Sequence, residues 1–100
     1  MILYNITVNV ERDVEDEWLQ WMKSTHIPEV LSTGMFHENK FFKIMHDSED
    51  TGSNYSVQYF AKDMHQVMSY QHEYFDKHNA IVQQKFPKKL AIFITLLEEV

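Results

Sequence analysis

His26 is a residue whose type and position could support chemistry. It lies two residues before Pro28 and three before Glu29, near the predicted end of a helix. The dipole at a helix C-terminus stabilises a histidine cation, and a nearby carboxylate can orient an imidazole as a general base. The alternative is a capping or packing histidine that fixes how the chain leaves the helix. The sequence leaves both interpretations open.

The remaining histidines and the possible nucleophiles form no motif. The sequence lacks the spacings at which zinc or non-haem iron ligands converge locally, since its histidines stand at positions 26, 37, 46, 65, 72 and 78. Cysteine is absent, no serine lies in a nucleophile elbow, and the two glycines cannot form a phosphate-binding loop. We therefore predict neither a metal site nor a cofactor.

Four polar residues form a second candidate site because of the strands that carry them. Residues 2–10 and 55–60 alternate with a period of two, which is typical of β-strands with one buried face. If these strands are neighbours, their outward residues form one polar patch, consisting of Asn5, Thr7, Ser56 and Gln58. We expect an apolar rim around it, made by Leu3, Phe60, Phe93 and Leu97.

Helical periodicity positions the remaining elements. An apolar stripe that includes Trp18 and Trp21 predicts a helix that ends or kinks near His26, followed by a short helical turn over 28–33 that stops at Gly34. Residues 35–46 are expected to be extended, with a turn over 47–54. Asp63 and Gln66 resemble a capping box for a second helix, and 90–97 reads as the last strand. The stripe predicted for that helix is Met64, Val67, Met68, Phe75 and Val82.

The order of elements is therefore β-α-β-β-α-β, which predicts one α+β domain over residues 1–100 with a ferredoxin-like fold. With right-handed crossovers, both helices cover one face of an antiparallel four-stranded sheet. Trp18, Trp21, Tyr55 and Tyr59 are expected in the core between these layers. The mixed polar and apolar reverse face would be buried if two copies packed face to face, so we predict a homodimer.

Composition limits the partners. The net charge of −6 disfavours nucleic acid, which needs basic patches to neutralise phosphates. No apolar run approaches the length of a membrane span, and residues 1–5 show no basic leader or cleavage site, so we expect neither a membrane partner nor a targeting segment. Because cysteine is absent, a reducing cytoplasm is the expected location.

The sequence also resembles a family of short uncharacterised bacterial proteins, DUF4286. Five segments carry the resemblance: MILYNITVNV at 1–10, WLQWMK at 18–23, HIPEVL at 26–31, YSVQYF at 55–60 and FITLLEEV at 93–100. That family is similar to the dimeric α+β barrel superfamily, which implies a dimer formed sheet to sheet. The superfamily includes small monooxygenases, haem-degrading enzymes, isomerases and ligand sensors, so the resemblance does not choose a reaction.

Three functional hypotheses follow. The first is a dimeric protein that binds a small polar or amphipathic molecule in a cavity between the two sheets, contacted by the four polar residues. The second is a cofactor-independent monooxygenase or isomerase that uses His26 as a base with a tyrosine nearby. The third is a structural dimerisation module that binds no ligand.

Overall fold

The alternating segments of the sequence form the two central strands of one antiparallel sheet. The protein is described here by a computed structural model that covers residues 1–45 and 52–100. Its strands are β1 (Ile2–Glu11), β2 (Glu38–Lys43), β3 (Gly52–Ala61) and β4 (Leu90–Glu98). They are arranged in the order β2-β3-β1-β4, with every neighbouring pair antiparallel. The predicted turn lies outside the described residues at 47–51, whereas residues 52–54 belong to β3.

Two helical stretches cover one face of this sheet, which confirms the predicted ferredoxin-like α+β fold. The first stretch follows a 3₁₀ turn (Arg12–Val14) and consists of α1 (Glu15–Trp21), a π-helical segment (Met22–His26) and α2 (Ile27–Leu31). The second stretch consists of α3 (Met64–Tyr70), a π-helical segment (Gln71–Phe75) and α4 (Asp76–Lys85).

Of the two outcomes predicted from Pro28, an end or a kink near His26, the first is wrong, because a π-helical segment closes at His26 and the helix continues into α2. The amide of Ile27 donates to the carbonyl of Met22, five residues back, and the chain stays helical to Leu31. A proline lacks the amide hydrogen and crowds the carbonyl four residues earlier. The wider π turn accommodates both features, because its hydrogen bonds span five residues. The stop at Gly34 is confirmed, with a φ of 78° that favours glycine.

The second stretch begins as predicted but turns a different face to the core. The amide of Gln66 donates to Asp63 Oδ1 at 3.1 Å, which is the expected cap. Val67 is buried, but Met64 and Met68 are exposed, so this part of the predicted stripe is wrong. Tyr70 occupies the core instead, because its ring packs against the rings of Tyr4 and Phe36.

The register of the sheet separates two faces with different chemistry. The helix-facing side carries the buried core of β1 and β3, including Tyr4, Tyr55, Val57 and Tyr59, which pack with Trp18 of α1. The open side carries the predicted polar residues, since Asn5 pairs with Gln58 and Thr7 pairs with Ser56. We call this set (Asn5, Thr7, Ser56 and Gln58) the polar row.

Candidate functional site

A cavity of about 50 Å³ lies between the helical stretches and the sheet. Its walls are mainly aliphatic and aromatic, supplied by three strands and both helical stretches. Ile92 of β4 lines the cavity and is exposed, so the cavity lies close to the surface at this strand. The side chains in the lining that carry polar atoms are His26, Trp18, Tyr59, Tyr70, His78 and Asn79.

His26 lies in the wall of this cavity, at the end of the first π-helical segment. Its ring stacks on Trp21 with 5.1 Å between ring centroids. Burial, with a smaller contribution from His78, lowers the pKa of His26 to about 4. Of the two interpretations of His26, stabilisation of its cation by a helix C-terminus finds no support, because the helix continues beyond His26 and burial lowers the pKa of the imidazole.

Tyr70 and His78 form a buried hydrogen-bonded pair beside His26. The distance between Tyr70 Oη and His78 Nδ1 is 2.7 Å, and the rings of His26 and His78 are 6.0 Å apart. Burial lowers the pKa of His78, while the negative charge of Glu29 opposes this shift. Both imidazoles facing the cavity are therefore neutral at pH 7. The charge of Glu29, which was considered as a possible partner of His26, acts on His78.

Tyr59 brings an unsatisfied polar group to the same cavity. Its side chain is 1% exposed. Its hydroxyl is the one buried side-chain polar atom without a hydrogen-bond partner in the described part of the chain. Burial raises the pKa of Tyr59, so the phenol stays protonated and able to donate. A buried hydroxyl without a partner costs free energy, and such groups in native proteins call for an explanation.

Both π-helical segments end at residues that line the cavity, namely His26 and Phe75. Segments of this kind are rare and occur frequently at functional sites, where they alter the direction of side chains. Neither π-helical segment was predicted as such from the sequence, although a kink near His26 was one expected outcome. Pro28 inside an otherwise helical pattern was the available signal for the first, whereas the second contains no proline or glycine to reveal it.

On the open face, the predicted site residues do come together. Ser56 Oγ donates to Asn5 Oδ1 at 2.6 Å, Asn5 Nδ2 donates to Thr7 Oγ1 at 3.2 Å, and Gln58 Nε2 donates to Ser56 Oγ at 3.1 Å. The members of the polar row thus hydrogen-bond to one another within the chain. The row does not meet His26, which lies on the other side of the sheet.

Two further properties concern metals and membranes. Within residues 1–45 and 52–100, no group of three or more metal-ligating side chains is found. None of the helices formed by these same residues is long and apolar enough to cross a membrane.

This geometry defines the class of the protein as a ferredoxin-like α+β fold, and solved structures of the class align with it over nearly its full length. An ethyl tert-butyl ether (EthD) family protein from Bacillus halodurans has 13% identity and a TM-score of 0.67, with 100% of both chains covered. A dimeric ferredoxin-like protein from an uncultured marine organism has 16% identity and a TM-score of 0.66, covering 99% of this chain and 97% of that one. An antibiotic biosynthesis monooxygenase has 12% identity and a TM-score of 0.63, covering 100% and 99%.

The chain belongs to the DUF4286 family, a domain of unknown function, which matches residues 1–100. The resemblance seen in the sequence is thereby confirmed. Comparison with the curated proteins gives no match. At identities of 16% or less, the solved structures establish only the fold of this chain. Its function has to be inferred from the residues of the chain itself.

Proposed function

We propose that this protein binds a small molecule in the cavity between its helices and its sheet. The observation that carries the proposal is the buried hydroxyl of Tyr59, a residue that lines this cavity, because this hydroxyl has no partner in the described residues. Binding pockets are mostly apolar with a few polar groups that fix the orientation of the ligand. The cavity has this character, and both π-helical segments contribute to its wall.

The polar row has a different role in this proposal. Because its members already hydrogen-bond to one another, a ligand there would have to replace contacts that exist. Large apolar side chains surround the row on the open face and are exposed, among them Phe42, Phe93 and Leu97. An exposed apolar patch with a polar centre favours an interface between two copies. We therefore propose a homodimer formed through the open face, with ligand contact by Asn5, Thr7, Ser56 and Gln58 as the alternative role.

The structural neighbours support self-association. The marine ferredoxin-like protein that shares this fold is described as dimeric. Because each chain carries a charge of −6, the interface must avoid placing like charges opposite each other. Phe93, Thr7 and Ser56, which lie next to each other across β4, β1 and β3, meet that requirement.

The binding site can be located by NMR with small neutral fragments, observing methyl groups on the two faces. Ile92 lines the cavity, whereas Thr7 lies on the open face. We expect saturable shifts of the Ile92 methyl signals and not of the Thr7 methyl signal. The variant Val82→Phe should weaken this response by at least about tenfold, because the larger side chain fills the cavity.

Ile81→Phe is the matched control for this experiment, since Ile81 is exposed and does not line the cavity. It should retain the wild-type response. Shifts confined to Thr7 would move the ligand to the open face. If dimers formed and no fragment shifted either methyl group, the structural dimerisation module would become the better explanation.

A second candidate function is that of a cofactor-independent enzyme, which is favoured by the position of His26 in the cavity wall. At pH 7 the imidazole is unprotonated and can accept a proton. An antibiotic biosynthesis monooxygenase shares the fold, which supports this candidate. The pKa of about 4 also makes His26 a weak base, so its driving force for removing a proton from carbon is small. The cavity therefore supports binding better than it supports proton abstraction.

This candidate predicts that the protein exchanges acidic C–H protons of a bound carbonyl fragment with solvent deuterium. His26 would accept the proton, exchange it with D₂O, and return deuterium to the same carbon. NMR would follow the loss of the C–H signal, and His26→Gln should abolish the exchange while fragment binding persists. Equal exchange rates with and without His26 would exclude it as the base.

A further inference from the structure

The three tyrosines packed together near the cavity differ in how their hydroxyl groups are satisfied. Tyr4 Oη accepts a hydrogen bond from Gln71 Nε2 at 2.6 Å. Tyr70 Oη is paired with His78 Nδ1. Tyr59 alone of the three has a hydroxyl with no partner in the described residues, although it is the most deeply buried tyrosine of the cavity wall. A residue of the cavity wall therefore carries one hydrogen-bond donor that the described chain does not use.

The charge around this hydroxyl restricts the ligand. Among the described residues that line the cavity there is no lysine, arginine, aspartate or glutamate. The two histidines in the wall are neutral at pH 7, because burial lowers both of their pKa values. An anion or a cation would lose its hydration here without gaining an opposite charge, which costs several kcal/mol. An uncharged ligand avoids this cost.

The size of the cavity restricts the ligand further. A water-sized occupant needs roughly 10–15 Å³ of such space, so about 50 Å³ accommodates roughly three to five non-hydrogen atoms. The occupant is therefore either a very small molecule or one end of a larger molecule. In the second case, the rest of the molecule would extend past Ile92 towards solvent.

We propose that the cavity selects an uncharged group with an oxygen acceptor, such as a ketone or aldehyde carbonyl, which accepts a hydrogen bond from the Tyr59 hydroxyl. This inference rests on the proposed function, because it assumes that a ligand enters the cavity. It adds the charge and the hydrogen-bonding chemistry of that ligand. Tyr59 thereby becomes the residue that determines specificity.

The test uses three probes of four non-hydrogen atoms each: acetone, acetate and isopropylammonium. They are titrated at pH 7 while NMR follows the ring signals of Tyr59 and the methyl signals of Ile92. We expect acetone to bind with a dissociation constant of about 1–100 mM, which is the range for so small a ligand. Acetate and isopropylammonium should bind at least about tenfold more weakly.

The variant Tyr59→Phe should weaken acetone binding about fivefold, because it removes one hydrogen bond. Tyr55→Phe is the matched control, since Tyr55 is buried on the same face of β3 but donates to Glu15 and does not line the cavity. It should leave acetone binding unchanged. Together the two variants separate the hydroxyl of the cavity from a general effect of losing a buried phenol.

The outcomes distinguish the inference from the proposed function. If the three probes bind equally, or if acetone binds equally to the wild type and to Tyr59→Phe, the inference is overturned while binding in the cavity stands. If acetate binds most tightly, the assigned charge is wrong. If the neutral fragments and all three probes leave the Ile92 signals unchanged, both the inference and the proposed function fail.

Discussion

The two central strands, β1 and β3, contribute to both sides of the sheet. The helix-facing side leaves a polar group without a hydrogen-bond partner, whereas the open side leaves apolar side chains exposed to water. On the helix-facing side the apolar side chains of β1 and β3 are largely buried, and a single hydroxyl, that of Tyr59, lacks a partner in the described residues. On the open side the polar row is hydrogen-bonded, and the apolar surface around it is exposed. A hydrogen-bonding group without a partner favours binding of a small ligand, whereas an exposed apolar area favours contact with another protein surface.

The largest expected effect is on dimerisation through the open face. Phe93 is 69% exposed in the single chain, so in the proposed dimer its ring would lose water from both copies. Each buried phenylalanine contributes about 2 kcal/mol, and the two copies together about 4 kcal/mol. Phe93→Lys should therefore weaken dimerisation about a thousandfold or more, as measured by sedimentation velocity over a range of concentrations.

Met68→Lys provides the control for that comparison. Met68 is 64% exposed but lies on α3, on the opposite side of the sheet from Phe93. The Met68→Lys variant should dimerise as strongly as the wild type. Dissociation of Met68→Lys together with unchanged dimerisation of Phe93→Lys would move the interface to the helical surface.

The histidines on the helix-facing side are expected to have a smaller effect, on how folding stability depends on pH. The pKa of His26 is about 4 in the folded chain and about 6.5 when unfolded, so below pH 6.5 the unfolded chain binds more protons. Stability is therefore complete above pH 6.5 and is lost as the pH falls towards 4, by about 3 kcal/mol for this group. The lowered pKa of His78 adds a loss in the same direction, moderated by Glu29.

Urea unfolding at pH 7, 6 and 5, at constant protein concentration, measures this dependence. His26→Gln should flatten it, because the substitution removes the imidazole whose pKa burial lowers. These pH values lie above the range in which most carboxylates titrate, so the histidines dominate the change. Identical slopes for the wild type and His26→Gln would mean that His26 is solvated in the folded protein.

The sheet could be predicted from sequence because its information is local. Alternation in β1 and β3 assigns each residue to a face, and antiparallel pairing then brings Asn5 beside Gln58. The polar row follows from these two facts alone. Its role as a ligand site does not follow, because the hydrogen bonds within the row depend on side-chain rotamers that alternation does not specify.

The cavity could not be predicted because it depends on contacts between distant elements. Helical periodicity assumes 3.6 residues per turn, and the two π-helical segments break that assumption at His26 and at Phe75. Tyr59 was expected in the core, and it is buried there. Whether its hydroxyl finds a partner depends on side chains distant in sequence, such as Tyr70 of α3 and Tyr4 of β1, which no pattern around Tyr59 reveals.

The smallest expected effect is a change in the free energy of unfolding when one hydroxyl oxygen is removed from either of two tyrosines in the cavity wall. Tyr59→Phe removes a buried hydroxyl that has no partner in the described chain, so it should raise the free energy of unfolding by about 1 kcal/mol. Tyr70→Phe leaves His78 Nδ1 buried without its partner, so it should lower that free energy by about 1–3 kcal/mol. Urea unfolding at pH 7 measures both changes.

The sign of the Tyr59 change matters more than its size. A hydroxyl that lowers the stability of the folded chain, and that gains a partner only when a ligand binds, behaves as a binding group rather than a structural one. Tyr59→Phe should then be more stable than the wild type and also bind acetone less well. Destabilisation by Tyr59→Phe of the same size as by Tyr70→Phe would show that the hydroxyl is already satisfied in the free protein, and its role in selecting the ligand would be lost.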